Sequence, residues 1–329
     1  MKINLHQLMQ WFGMSLISCL FAISLTHAQI VYPVKPIRLI VPFTPGGVTD
    51  TSGRYIADQL STKLGQQVVV ENRPGASGNI GSYQVASAEP DGYTLLLGFD
   101  GTLVINPHVF EKISFDTVKD FSPIGKIGDA VLILVANNNF PGKTVNDMIA
   151  ISKKDSQGLS YGTSGAGSSP HIAGELLKQK TGANLVHIPY KGGGQAMTDL
   201  LGGNIPLVYT AVAGANQHIK SGRLTPLAVS SFQRSSSLPD VPTFMESGIK
   251  DFELSSWVGL LAPAKTPRPV IMRLNQALNE ILASTEGKER LNSMGITATV
   301  GSPEKFSEQI KFDLTRFGAI VKNANIKAE

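Results

Sequence analysis

Cysteine is nearly absent from this 329-residue chain: there is one, Cys19. It lies in an N-terminal stretch that reads as removable, and without that stretch no thiol is left to form a disulfide or act as a nucleophile. Charge is also sparse, at 16% of residues with a formal net charge of +4. The basic residues are scattered, which argues against a nucleic-acid partner. Beyond the N-terminus no apolar run is long enough to span a bilayer. Several chemistry-bearing patterns are missing as well. A phosphate loop ending in Gly142-Lys143-Thr144 would need glycine where Asn137 stands. Gly75, Gly78 and Gly81 are spaced by threes, which is not a dinucleotide fingerprint. His108, His171, His187 and His218 form no ligand-spaced pair, so neither a metal nor a cofactor is expected.

The N-terminus has one charge, Lys2, ahead of a mostly apolar stretch from Leu8 to Leu25, then Thr26-His27-Ala28. This is the pattern of a secretory signal cleaved after Ala28. Two other readings compete with it: a retained membrane anchor, and a lipoprotein site at Leu16-Ile17-Ser18-Cys19. The signal reading places the mature protein in the periplasm, with 28 basic and 25 acidic residues, or a net +3.

The length predicts two lobes. The organising stretch is Val41-Pro-Phe-Thr-Pro-Gly-Gly-Val-Thr-Asp50. It follows a strand-like run, Ile37 to Val41, and precedes Asp50 to Leu64, where Ile56, Leu60 and Leu64 share a helix face. Pro45-Gly46-Gly47 forces a turn, and Thr49 or Asp50 fits the N-cap. Unpaired amides at such a helix start favour a small anion. Further strands are expected at Val68 to Val70 and Thr94 to Leu97, with a helix at Gly78 to Ala88, which implies a parallel sheet with ligand loops at its carboxyl edge. The apolar run from Ala130 to Ala136 reads as a strand crossing into a second lobe. That lobe repeats the alternation: helices at Val145 to Lys154, Ser169 to Lys180 and Gln195 to Leu201, and strands at Leu159 to Gly162, Leu185 to Pro189, Leu207 to Thr210 and Leu224 to Ser230. Phe252 to Pro263 reads as the return crossing, followed by helices at Pro269 to Ala283, Gly287 to Met294 and Pro303 to Asn323. The expected lobes are 33–129 with 255–329, and 130–254.

Thr163-Ser164-Gly165-Ala166-Gly167-Ser168-Ser169-Pro170-His171 is a second strand-to-helix loop, rich in uncharged donors. Asp100 and Thr102 follow the third strand, where Asp100 could repel a carboxylate or pair with an ammonium group. Tyr190, before Lys191 and three glycines, could wall a pocket. A serine hydrolase using Ser164 or Ser168 with His171 is the alternative from another class. Against it, the elbow spacing fails at Ala166 for both serines.

Several motifs in one order carry a resemblance. They are Pro42 to Asp50, Glu71-Asn72-Arg73-Pro74-Gly75-Ala76, Pro90-Asp91-Gly92-Tyr93-Thr94-Leu95-Leu96, Tyr161 to His171, Pro189-Tyr190-Lys191-Gly192, Leu238 to Thr243 and the Trp257 segment. The chain resembles the Bug receptors, the extracytoplasmic solute receptors of tripartite tricarboxylate transport systems. The resemblance implies an α/β, two-lobed fold of the type II periplasmic-binding-protein kind, with a ligand cleft between the lobes. It implies a monomer that is not an enzyme, takes a small organic acid, and delivers it to integral-membrane transporter subunits. The ligand residues it carries over are Phe43, Gly46, Gly47, Thr49 and Asp50, and Ser164, Gly165, Gly167, Ser168 and Ser169 with His171; Asp100, Thr102, Thr163 and Tyr190 join them from the reading of the loops. Where many relatives have Phe-Asp, this chain has Tyr209-Thr210, which leans away from amino-acid ligands. A sensory module for a membrane signalling partner would look the same in sequence.

Overall fold

The computed structural model describes residues 32–45, 48–190, 192–324 and 326–327. The predicted signal segment with Cys19, the glycines Gly46 and Gly47, and Lys191 lie outside the described residues.

Two mixed sheets organise residues 33–329. The first orders its strands Ile296–Ala298, Phe121–Ala130, Ser256–Pro263, Thr94–Phe99, Ile37–Val41 and Val68–Asn72, and the second Leu185–Pro189, Leu159–Thr163, Leu207–Ala211, Leu132–Asn137 and Leu224–Val229. In the first, β1 (Ile37–Val41), β2 (Val68–Asn72) and β3 (Thr94–Phe99) are mutually parallel. They are joined by α1 (Val48–Leu64) and by a short helical turn followed by α2 (Asn79–Ala86). Ile56 and Leu60 are fully buried and Leu64 nearly so. Gly53 lets α1 lie close on the sheet, because a Cβ there would stand 2.8 Å from Leu97 Cδ2. After β3 comes a π-helical turn, Gly101–Ile105, then α3 (Asn106–Val109).

The second sheet repeats the pattern. β6 (Leu159–Thr163) is parallel to β7 (Leu185–Pro189) and to β8 (Leu207–Ala211). α4 (Val145–Lys154), α5 (Ser169–Thr181), α6 (Gly193–Leu201) and α7 (Val212–Lys220) surround it. α4 opens on a capping box, with Thr144 and Asp147 satisfying each other's backbone amides.

Two passages join the sheets. Outbound, β4 (Phe121–Ala130) leads through Val131 into β5 (Leu132–Asn137), whose six residues are all buried. The return runs from β9 (Leu224–Val229) to β10 (Ser256–Pro263), buried at all eight positions. The passages are stitched together. Ser230 N donates to Leu132 O at 2.9 Å, Leu254 N donates to Ser230 O at 2.8 Å, and Ser256 stands opposite Ala130. α8 (Arg268–Ala283), α9 (Thr285–Ser293), β11 (Ile296–Ala298) and α10 (Pro303–Ala324) complete the first sheet's layers. One apolar cluster runs through both sheets, from Leu96 and Leu103 through Tyr161 and Ile172 to Phe306 and Phe317 on α10.

Three expectations are corrected. The helix after the first loop begins at Val48, so Thr49 and Asp50 sit inside its first turn, not at the cap. The sheets are mixed, not parallel: β10 runs antiparallel to both β3 and β4, and β5 antiparallel to β8 and β9. The outbound crossing is two strands, and β4 was not expected. Ser122-Pro123 with Gly125, Lys126 and Gly128 breaks its apolar run, and the chain accommodates these residues with two register shifts against β10.

Candidate functional site

Parallel strands bring the loops after their carboxyl ends to one edge of each sheet. In the first sheet these are the loops after Val41, Asn72 and Phe99; in the second, those after Thr163, Pro189 and Ala211. The two edges meet. Ser169 Oγ, at the start of α5, donates to Asp100 Oδ2 at 2.9 Å. A Cβ on Gly167 would stand 3.3 Å from Val109 Cγ1 and 3.5 Å from Asn106 Oδ1.

On the first side, Phe43 is half-buried with its ring edge-on to Phe99, centroids 5.6 Å apart. Thr49 is half-buried and its carbonyl accepts from Ser52 Oγ at 3.2 Å. Asp50 is 2% exposed, and it accepts from Asn72 Nδ2 at 2.8 Å and Arg54 Nε at 3.1 Å. Asn72 Nδ2 also donates to Phe43 O at 3.0 Å. Asp50 therefore ties the first loop to the end of β2.

A feature not singled out from the sequence lies next to it. Gly75, Ala76, Ser77 and Gly78 all have positive φ, at 136°, 46°, 52° and 90°. Non-glycine residues in that region cost on the order of 1–2 kcal/mol each, and such strain gathers at functional sites. The bend is held from below: Thr102 Oγ1 and Asn106 Nδ2 donate to Ser77 O at 2.8 and 3.0 Å, and Asn106 Nδ2 also donates to Asn79 Oδ1 at 2.8 Å. At Gly78 a Cβ would lie 3.2 Å from Phe43 Cζ, so the bend abuts the first loop. Pro74-Gly75 was the available signal.

Asp100 corrects a further expectation. It is fully buried and accepts from Ser169 Oγ at 2.9 Å and Ser256 Oγ at 2.5 Å. Burial pushes its carboxyl up to about 7 against these hydrogen bonds and that of Gly101 N–H. It fastens β3, α5 and the return strand together, and is not presented to a ligand. Thr102 and Ser169, 1% and 0% exposed, are likewise committed to Ser77 and Asp100.

On the second side, Thr163 is buried, with Oγ1 2.7 Å from His187 Nε2 and donating to Gly165 O. His171 is 7% exposed; its Nδ1 accepts from Gly167 N at 3.1 Å, which leaves its proton on Nε2. The imidazoles of His171 and His187 stack at 3.7 Å, and burial lowers them to about 4 and about 3. Both are neutral at physiological pH. Ser168 caps α5: its Oγ donates to Gly165 O at 2.7 Å and accepts from His171 N at 3.4 Å. Among the described residues no serine hydroxyl bonds to the His171 ring, so the nucleophile–base contact a serine hydrolase needs is not formed. Ser164 is exposed, and Gly165, Ala166 and Ser168 are half-buried. Tyr190 packs its ring where a Cβ of Gly162 would otherwise stand, and its hydroxyl donates to Asp199 Oδ2 at 2.7 Å.

Thr210 is 9% exposed, and its hydroxyl has no hydrogen-bond partner among the described residues.

The model of the tripartite tricarboxylate transporter family receptor matches residues 53–326. The chain belongs to that family. The receptor is 36% identical to the protein BugT of Bordetella pertussis, over 90% of this chain and 91% of BugT. A solved R. palustris protein with adipate is 32% identical, with a TM-score of 0.86 over 91% of the receptor and 100% of that chain. MatC from Rhodopseudomonas palustris with bound malate is 28% identical, with a TM-score of 0.81 over 88% of the receptor and 100% of that chain. The fold is the two-lobed α/β architecture of periplasmic binding proteins. No described helix of the receptor is long and apolar enough to cross a membrane.

Proposed function

We propose that the receptor captures a small organic carboxylate in the cleft between two lobes, residues 33–129 with 255–329 and residues 130–254, and delivers it to a membrane carrier. In this reading the mature protein is periplasmic, released by cleavage after Ala28. The observation that carries the reading is the meeting of two sets of strand-end loops, one per sheet, joined at Ser169 and Asp100. Among the described residues the polar groups left open there are uncharged: the Ser164 hydroxyl, the amides of Ser164 and Ala166, and the strained bend at Ala76 and Ser77. Arg54 and Arg73, the nearby cations, are already paired with Asp50 and Glu71 at 3.1 and 3.2 Å. Backbone amides and hydroxyls at helix starts hold a carboxylate without a full counter-charge. The dicarboxylates carried by two relatives of this fold support the ligand class.

Binding closes the lobes about the two stitched passages, as hinge motion does around a cleft. Trp257 on β10 reports it, since its indole N–H donates to Asp313 Oδ2 at 2.8 Å and its ring meets Phe306 edge-on. Titrating the mature protein with a panel of mono- and dicarboxylates shifts Trp257 fluorescence and raises the melting temperature. At about a hundred times the dissociation constant the gain is roughly 2.7 kcal/mol. A response to sugars or cations with none to any carboxylate refutes the proposal.

A further inference from the structure

As a brace, the Asp100 carboxyl does nothing that an amide could not. It is fully buried, and its oxygens accept from Ser169 Oγ on α5 and Ser256 Oγ on β10. An asparagine would keep that shape; what the acid adds is a proton that it can gain or lose. Among the described residues no Lys, Arg or His forms an ion pair with it. The charged group that bears on it is Asp313 on α10, also acidic, and that carboxyl feels Lys126 of β4 and Arg316 of its own helix. His171, two residues beyond Ser169, is kept neutral by burial. Burial raises the Asp100 carboxyl to about 7, against three hydrogen bonds that favour its charged form.

The brace stands where the two sets of loops meet. Asp100 follows β3 at the edge where the first loop follows β1, one strand over, and neighbouring strands lie about 4.8 Å apart. Phe99, the residue before it, meets Phe43 of the first loop edge-on. Ser169, whose hydroxyl it holds, directly follows the 164–168 loop. An acid gripped by both loops carries its charge on the order of 10 Å from Asp100, across protein where salt screens little. We propose that Asp100 is a proton site coupled to the ligand: the receptor binds one proton there for each carboxylate it captures. This rests on the carboxylate reading above and deepens it. An ionised Asp100 repels the incoming acid, and a protonated one does not. By reciprocity, the bound acid holds the proton on Asp100 as strongly as the proton favours the acid. The ligand's charge is thus offset by a proton.

The test is calorimetry on the mature protein with malate, adipate, succinate and butyrate, from pH 6.5 to pH 8.5. Affinity for the acids that bind is highest at pH 6.5 and about fivefold or more weaker at pH 8.5, as a coupling of about one pK unit requires. At pH 7.5 the heats in phosphate and in Tris differ by the uptake of roughly half a proton per acid bound. Asp100→Asn, which cannot ionise, flattens the profile and abolishes the uptake. Ser256→Ala removes a hydrogen bond that favours the charged form, so the fall in affinity moves to higher pH. It carries the test if Asp100→Asn does not fold. A brace without a proton site produces none of these pH effects. Affinity that is constant or rises toward pH 8.5, heats that show no proton uptake, or a profile unchanged in Asp100→Asn overturns the proton site and leaves the carboxylate receptor standing. If none of the four acids binds at any pH, the carboxylate reading falls and takes the proton site with it.

Discussion

Replacing Gly174 by valine costs the receptor about 3 kcal/mol of stability and weakens its ligand binding along with it. Gly174 lies in α5, where a Cβ would stand 2.3, 2.4 and 2.5 Å from Cε2, Cζ and the hydroxyl oxygen of Tyr161. Contacts that short do not occur, so the ring or the helix must move. The ring has nowhere to go: it is fully buried, and its hydroxyl donates to Glu175 Oε1 at 3.1 Å. The helix gives way instead, and its first turn carries Ser168, Ser169 and His171. Overpacking of this kind costs roughly 1–3 kcal/mol and at times more, with the valine's β-branching adding to it in a helix. The melting midpoint falls by roughly 5–10 °C. Gly301→Ala, which meets no atom within 4 Å, serves as the control and stays near neutral. A Gly174→Val protein within 1 kcal/mol of the wild type refutes the close packing of α5 on β6.

Acidification from pH 6.5 to pH 4.5 destabilises the receptor by about 2 kcal/mol, and Asp100→Asn about doubles that loss. Four buried groups set the slope: His171, His187, Asp100 and Asp313, whose carboxyl burial also raises. His171 and His187 titrate at about 4 and about 3 in the folded chain, against an ordinary 6.5. Through this window the unfolded chain takes up two protons that the folded chain refuses, so stability is lost as pH falls. Asp100 acts in the opposite direction. Its folded value of about 7 lies above the ordinary 3.8, so the folded chain keeps a proton that the unfolded chain releases. The net excess in the unfolded state grows toward one proton at pH 4.5, where it is worth about 1.4 kcal/mol per pH unit. Asparagine at position 100 removes the opposing group, and the excess becomes two. Carboxyls held low by their partners, Glu71 and Asp147 among them, add their own loss mainly below this window. Urea midpoints at pH 4.5, 5.5 and 6.5 measure the effect. Stability that is flat or rises toward pH 4.5 contradicts it.

The fold was largely legible because its signals are local. Ile37 to Val41 is a short apolar run before a glycine turn, and the structure makes it β1 with the same bounds. Val145 to Lys154 carries a helix period and a Thr-to-Asp capping pair, and it is α4. Strand direction was less legible, because the chain passes between sheets and returns, and β10 pairs with strands more than a hundred residues earlier. α7 was missed because Ala213, Gly214 and Ala215 are weak markers in the short interval between β8 and β9. At the site, the loops could be read and the roles within them could not. Asp100 looked like a ligand contact until its bond to Ser256, 156 residues away, placed it as a brace. Ser169, Thr102 and Asp50 are the same case: polar side chains at the strand-end loops that hold those loops in place. Ala76 and Ser77 were not singled out because Pro74-Gly75 marks a turn without showing that the two residues after it are left-handed.

The central claim is that both sheets' loops grip one acid together. Backbone hydrogen exchange of the mature protein, with and without a saturating carboxylate from the panel, measures this directly. The account predicts slowed exchange in the first loop, in residues 75–78 and in residues 164–168 at the same ligand concentration. Protection confined to one sheet's loops, or found only far from both edges, contradicts it.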